Sequence, residues 1–349
     1  MLAAIPSVCA AAKSNAEQRP SPAGRISEFV RLTDPVTETP VLRLTDPRSA
    51  NVLPFAQNRF ISSKRRFLIF SSDRSGKPCP FQVDLRSGAL HQLTDTEQLA
   101  PRSLAMDAHE RSAYYIDGAV LKELSFASRK TRTVAEGVTA FGIAGSSSDL
   151  CAFVQGKLKH LTTGRILAQD AGDFVLMRPG GAGCLFVQEL DPTTRSIWYA
   201  DIAGASPPLL LAKGSVSDPF WSPDGESILF LSSVDRGVRI SEIHEVSVRG
   251  GDERVIAPTS QFASFAPNEN GSVFAGASGS KAQPNVVLLI RSVRRELTLC
   301  EHRATNAAAV SPVFSADSRR VYFGSDREGK SSIYSVNLEL LVEPTPVQS

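Results

Sequence analysis

An apolar anchor, a short polar turn and an apolar run beginning seven residues after the anchor recur seven times along this chain. The pairs are Phe60 with FLIF from Phe67, Met106 with AYYI from Ala113, Ile143 with LCAF from Leu150, and Met177 with CLFV from Cys184. Trp221 with ILFL from Ile228, Phe265 with SVFA from Ser272, and Phe314 with VYFG from Val321 complete the set. Successive anchors stand 34 to 49 residues apart. Self-similarity at such a period marks a repeat architecture, and each copy reads as two antiparallel strands around a tight turn.

The turn of the fifth copy, Ser222-Pro223-Asp224-Gly225, shows the logic. It supplies a side-chain acceptor, a proline with preset φ, and a glycine tolerant of positive φ. Several copies continue into a third strand, as in Phe81 to Asp84 and Ile333 to Val336, and a fourth, as in Ala89 to Asp95. Four short strands per repeat without helical periodicity are the pattern of a propeller blade. A β-sandwich would not need seven equivalent hairpins on one spacing. The chain is therefore expected to be all-β, a seven-bladed β-propeller over residues 28–341, with a flexible leader over 1–27 and a tail over 342–349. The seventh copy stops after its third strand, near Leu338, whereas Pro40 to Asp46 has the look of a blade's fourth strand. An N-terminal strand added to the last blade would close the ring and remove an exposed edge. The short third copy suggests a pared-down blade.

Composition adjusts this picture little. Of 349 residues, 42% are hydrophobic and 21% charged, enough for a large core, and 24 glycines with 22 prolines suit many turns. A net charge of +2 gives no reason to expect nucleic-acid binding. Five scattered cysteines without a CxxC argue against a disulfide framework or zinc site, and Cys151 and Cys184 fall inside apolar strands. No apolar run reaches the ~18 residues of a membrane span. The opening MLAAIPSVCAAA lacks the basic start of a secretory signal, and Lys13 follows its apolar part. A cytoplasmic protein is thus expected ahead of an exported one.

In a propeller the residues just ahead of each anchor approach the mouth of the central channel. Three positions before the anchors stand Gln57, Ser103, Ala140, Phe174, Asp218, Phe262 and Ser311. Gln57, Asp218 and Ser311 are the candidates for contacting a ligand, and the ring offers no evident catalytic group. The five histidines form no HExxH or other useful pair. There is no GxSxG elbow and no Walker loop. Lys64-Arg65-Arg66, Arg319-Arg320 and Arg291 to Arg295 read as solvated turn residues, with contact to an acidic ligand as the sharper alternative.

Several stretches resemble the oligogalacturonate lyase family of seven-bladed propellers. Asp34 to Glu38 with Val41 to Thr45, then Leu53 to Phe60 and FLIFSSDRSGKP, are similar to its opening. Asp84 to Gly88, His91 to Asp95, Leu299 to His302 and FGSDREGKSSIYSV match in order and spacing. The resemblance implies β-elimination of short pectin fragments, with a divalent metal, typically manganese, gripping the uronate carboxylate while a base removes the adjacent proton. It also places the family's metal-ligand positions on Phe174, Asp218, Ser311 and Ala309. Of these only Asp218 could bind a metal, and no histidine occurs between 161 and 243 or after 302. No cofactor or metal is therefore expected. The chain reads as a lyase-like propeller that binds or acts on acidic oligosaccharides at its mouth, with a TolB-like protein-interaction propeller as the alternative.

Overall fold

The computed structural model of the chain describes residues 27–341, apart from residues 146, 148, 205, 236–238 and 260. Those residues form a seven-bladed β-propeller. Six antiparallel sheets have four strands in sequence order, and the seventh has five. The sequence-predicted leader and tail lie outside the described residues, Ser27 excepted.

The anchors stand in or beside the innermost strands. Phe60, Met106, Met177 and Phe265 are 1–3% exposed, Trp221 and Phe314 are buried, and Ile143 is half-buried. The runs seven residues later are second strands, such as Leu150–Val154 and Val273–Ser278, buried almost throughout. Their near-continuous apolar character follows from having a neighbouring blade on both faces. Phe323, for instance, packs towards the sixth blade with Val286 and Leu288, whereas the next residue back, Tyr322, packs towards the first with Leu44 and Phe60. The third blade keeps four strands despite its short repeat, by shrinking Lys157–His160 and Arg165–Ala168 to four residues each.

The last blade is completed from the other end of the chain. Pro40–Arg43 pairs with Ser332–Asn337, and Val30–Thr33 adds a further strand outside it. Backbone bonds from Leu44 N to Ile333 O and from Asn51 N to Ser331 O, both 2.7 Å, continue the seam into the first blade. This connectivity gives the ring two faces. Hairpins after the anchors open on one face, and the segments leading into the innermost strands open on the other, where the channel mouth lies.

Candidate functional site

Two of the predicted mouth residues hold unusual backbone conformations. Asp218 (φ 47°) and Ser311 (φ 43°) are left-handed, and each precedes a proline. In the fifth blade the ladder pairs Ser217 with Leu231 and Phe220 with Leu229, so Asp218 and Pro219 form a bulge. Similar register shifts follow Val138 in the third blade and Phe262 in the sixth. Bulges re-aim side chains, and left-handed non-glycine residues are costly enough to cluster where they serve a purpose.

Arginines that sequence reasoning did not select join these residues. Arg102, in the segment leading into the second blade, donates from Nη2 to Ser311 Oγ at 2.7 Å, reaching from the second blade to the seventh. Its guanidinium lies over the Phe55 ring, 4.6 Å from the centroid, and Phe55 meets Phe174 edge-on at 5.8 Å. Burial pulls Arg102 down from its ordinary pKa, and the charge of Asp218 pulls it back up. Burial likewise pushes the Asp218 carboxyl up to about 7, although Arg102, Arg195 and an N–H from Phe265 all favour its charged form. The second arginine, Arg195, starts the third strand of the fourth blade and pairs with Asp173. Its buried Nε has no hydrogen-bond partner.

The Asp173–Arg195 pair borders two cavities, Asp173 lining one and Arg195 the other. The first, about 330 Å³, is mostly apolar, with Phe55, Ile116, Phe141 and Phe174 beside Arg102. The second, about 740 Å³, sets Arg195 among hydroxyl and amide groups from Thr193, Ser215, Ser217, Ser233 and Gln261. Both volumes suit a small ligand.

Of the sequence-predicted residues, the structure links Asp218 and Ser311 through Arg102. Gln57 sits half-buried in the turn after Phe55, and none of Gln57, Asp218 and Ser311 lines either cavity. Ser103 is spent on structure, donating to Ala100 O at 2.8 Å and accepting from Ile116 N at 3.0 Å. Phe262 and Ala140 are buried. One buried histidine is also structural. His302 is 1% exposed, its Nε2 meets Ser278 O at 2.9 Å, and its Nδ1 accepts from Ala304 N at 3.0 Å. Burial lowers its pKa, consistent with a neutral ring. Among the described residues no three His, Cys, Asp or Glu side chains are grouped so that they could hold a metal ion. No described helix is long and apolar enough to cross a membrane.

Solved structures give the fold a counterpart. An oligogalacturonate lyase in complex with manganese superposes with a TM-score of 0.78 at 17% identity, over 89% of this chain and 96% of the other. An oligogalacturonate lyase from Vibrio parahaemolyticus gives 0.76 at 17% identity, over 89% and 97%. The fold is shared with oligogalacturonate lyase. A chain of a mitotic checkpoint complex is more distant, at 0.57 and 14% identity, over 95% and 99%. No protein-family model matches the sequence, and no curated relative matches it either.

Proposed function

We propose that this protein is a lyase-like propeller that binds acidic oligosaccharides at the channel mouth without a metal ion. The observation that carries this reading is Arg195, with an unpartnered Nε, in a cleft otherwise rich in hydroxyl and amide groups. A guanidinium offers a planar fork of donors to a carboxylate, and the surrounding Ser, Thr and Gln side chains suit a polyhydroxylated body. The substrate class is taken from the proteins that share the fold, which are oligogalacturonate lyases.

The donor set argues against a manganese site of the kind such a lyase holds. The carboxylates at the mouth are Asp218 and Asp173, the latter held by Arg195, while Arg102 occupies the approach to Ser311 and Phe174 offers no donor. A divalent cation beside Arg102 would meet a like charge where a ligand is needed. Positive charge at the mouth is instead built into Arg102, with Arg195 held against Asp173.

The test is calorimetric titration of trigalacturonate into the full chain, with and without EDTA. Binding that survives chelation and weakens about ten- to a hundredfold in Arg195→Gln is expected, since a charge-assisted pair is worth about 1.5–3 kcal/mol. Turnover to unsaturated uronate that needs manganese and stops with EDTA would overturn the metal-free reading. Absence of any trigalacturonate binding would overturn the ligand class and favour a protein partner.

A further inference from the structure

The face opposite the channel mouth carries a second constellation, at the seam where the last blade meets the first. Two basic clusters distant in sequence converge there. The hairpin turn of the first blade brings Lys64 and Arg65, the turn after that blade's third strand brings Arg86, and the second strand of the last blade brings Arg320. They line a groove of about 330 Å³ whose other walls include Leu42, Leu44 and Leu85.

Strand register explains the convergence. Leu42 lies opposite Ser335, and Ser335 opposite Tyr322, so one row of side chains crosses the last blade on the face turned to the first. Arg320 is two residues from Tyr322 and shares its face. Arg65 and Arg320 are both close enough to the Tyr322 hydroxyl to oppose the rise in its pKa, which burial pushes up to about 12. The middle member of the row is Ser335, 2% exposed and lining the groove, whose Oγ has no hydrogen-bond partner. A buried hydroxyl left unpartnered costs stability unless something meets it.

Acidic groups do not balance the cations. Asp317 pairs with Arg65 at 2.8 Å, and Glu339 is engaged by Arg319 at 2.9 Å. Asp84 accepts from the backbone of Arg86 and Ser87 within its own turn. Lys64, Arg86 and Arg320 have no ion-pair partner among the described residues. Three cations without a close ion pair, of which Arg86 feels the charge of Asp84, stand beside aliphatic walls, unlike the hydroxyl-lined cleft at the mouth, and they ask for negative charge on an apolar body.

We infer that this groove is a binding site for a phosphate monoester of an apolar alcohol. The phosphoryl oxygens meet Arg320, Arg86 and Lys64 with the Ser335 hydroxyl behind them, and the apolar body lies against Leu42, Leu44 and Leu85. Guanidinium groups match the geometry of phosphate oxygens, and the phosphoryl group supplies acceptors for the orphan hydroxyl.

The test uses phenyl phosphate, inorganic phosphate and phenol, titrated separately into the full chain at constant ionic strength. Phenyl phosphate should bind at least about tenfold more tightly than inorganic phosphate, and phenol should not bind measurably. Lys64 and Arg86 are exposed, so the Lys64→Gln/Arg86→Gln double variant keeps the fold and should lose about tenfold in affinity. Lys130→Gln, in an exposed turn of the second blade, controls for bulk charge and should bind like the parent. Ser335→Ala should weaken phenyl phosphate binding while leaving the melting temperature unchanged or higher, because the hydroxyl has no partner to lose. Equal affinity in the parent and the double variant, equal losses in the double variant and Lys130→Gln, or no binding by the folded parent would each overturn the assignment.

Discussion

Asp218 combines a left-handed backbone ahead of a proline with a carboxyl that burial holds in its protonated form up to a pH of about 7. In the unfolded chain the same group titrates near 3.8. Between those values the folded protein binds more protons than the unfolded one, so the Asp218 contribution to stability is fully present below about pH 4. It is lost as pH rises through about 7. Asp218→Asn, which also tolerates the left-handed region, should flatten the melting profile across that window and melt higher than the parent at pH 8. A parallel pH profile in parent and variant would show that another group carries the slope. Arg102→Gln removes a charge that favours the carboxylate, so it should move the Asp218 titration, followed by carboxyl carbon NMR, to still higher pH. Asp218 and Ser311 were legible in the sequence because their place is fixed by counting back from an anchor. Arg102 and Arg195 were not. One lies on a connecting segment and the other begins a third strand, and neither position repeats from blade to blade. Their role comes from reaching across the ring, which no local pattern encodes.

Between elements, the inner strands of the third and fourth blades come close together at Gly142. A Cβ there would stand 2.8 Å from Val175 O and 3.0 Å from Val175 C, both backbone atoms that cannot swing aside. Gly142→Ala should therefore destabilise by about 1–3 kcal/mol in urea unfolding, the usual cost of overpacking. Gly145→Ala meets no atom within 4 Å and serves as the neutral comparison. Similar losses from both substitutions would mean that the close approach to Val175 does not decide the outcome. The hairpins at this scale were readable because turn chemistry and a seven-residue offset are local signals. The outermost strand Val30–Thr33 was not, because its pattern of exposure is mostly solvent-facing and its partner Pro40–Arg43 is itself an edge until the ring closes.

For the whole molecule, everything depends on how the ring is held at its seam. Val41 is 2% exposed and faces Val336 across the junction of chain ends, and it packs in one cluster with Phe323 and Tyr334. Six blades are closed by consecutive strands, but the seventh depends on a segment about 290 residues away in sequence. An unpaired charge at Val41 should thus act on the closure first. In Val41→Asp the buried carboxylate has no counter-ion, and escaping to water requires Pro40–Arg43 to leave the sheet. Amide hydrogen exchange reads this directly. The N–H groups of Leu44, Asn51 and Ile333, bonded across the seam to Ile333 O, Ser331 O and Thr45 Oγ1, should lose protection most. Those of Leu150–Val154 and Gly183–Asp191, in blades remote from the seam, should keep most of theirs. A uniform loss would mean that the propeller opens only as one cooperative unit, and that its last blade is no weaker than the other six. A loss confined to the seam would leave Ser332–Asn337 as an open edge strand. The variant should then self-associate through that edge as its concentration rises.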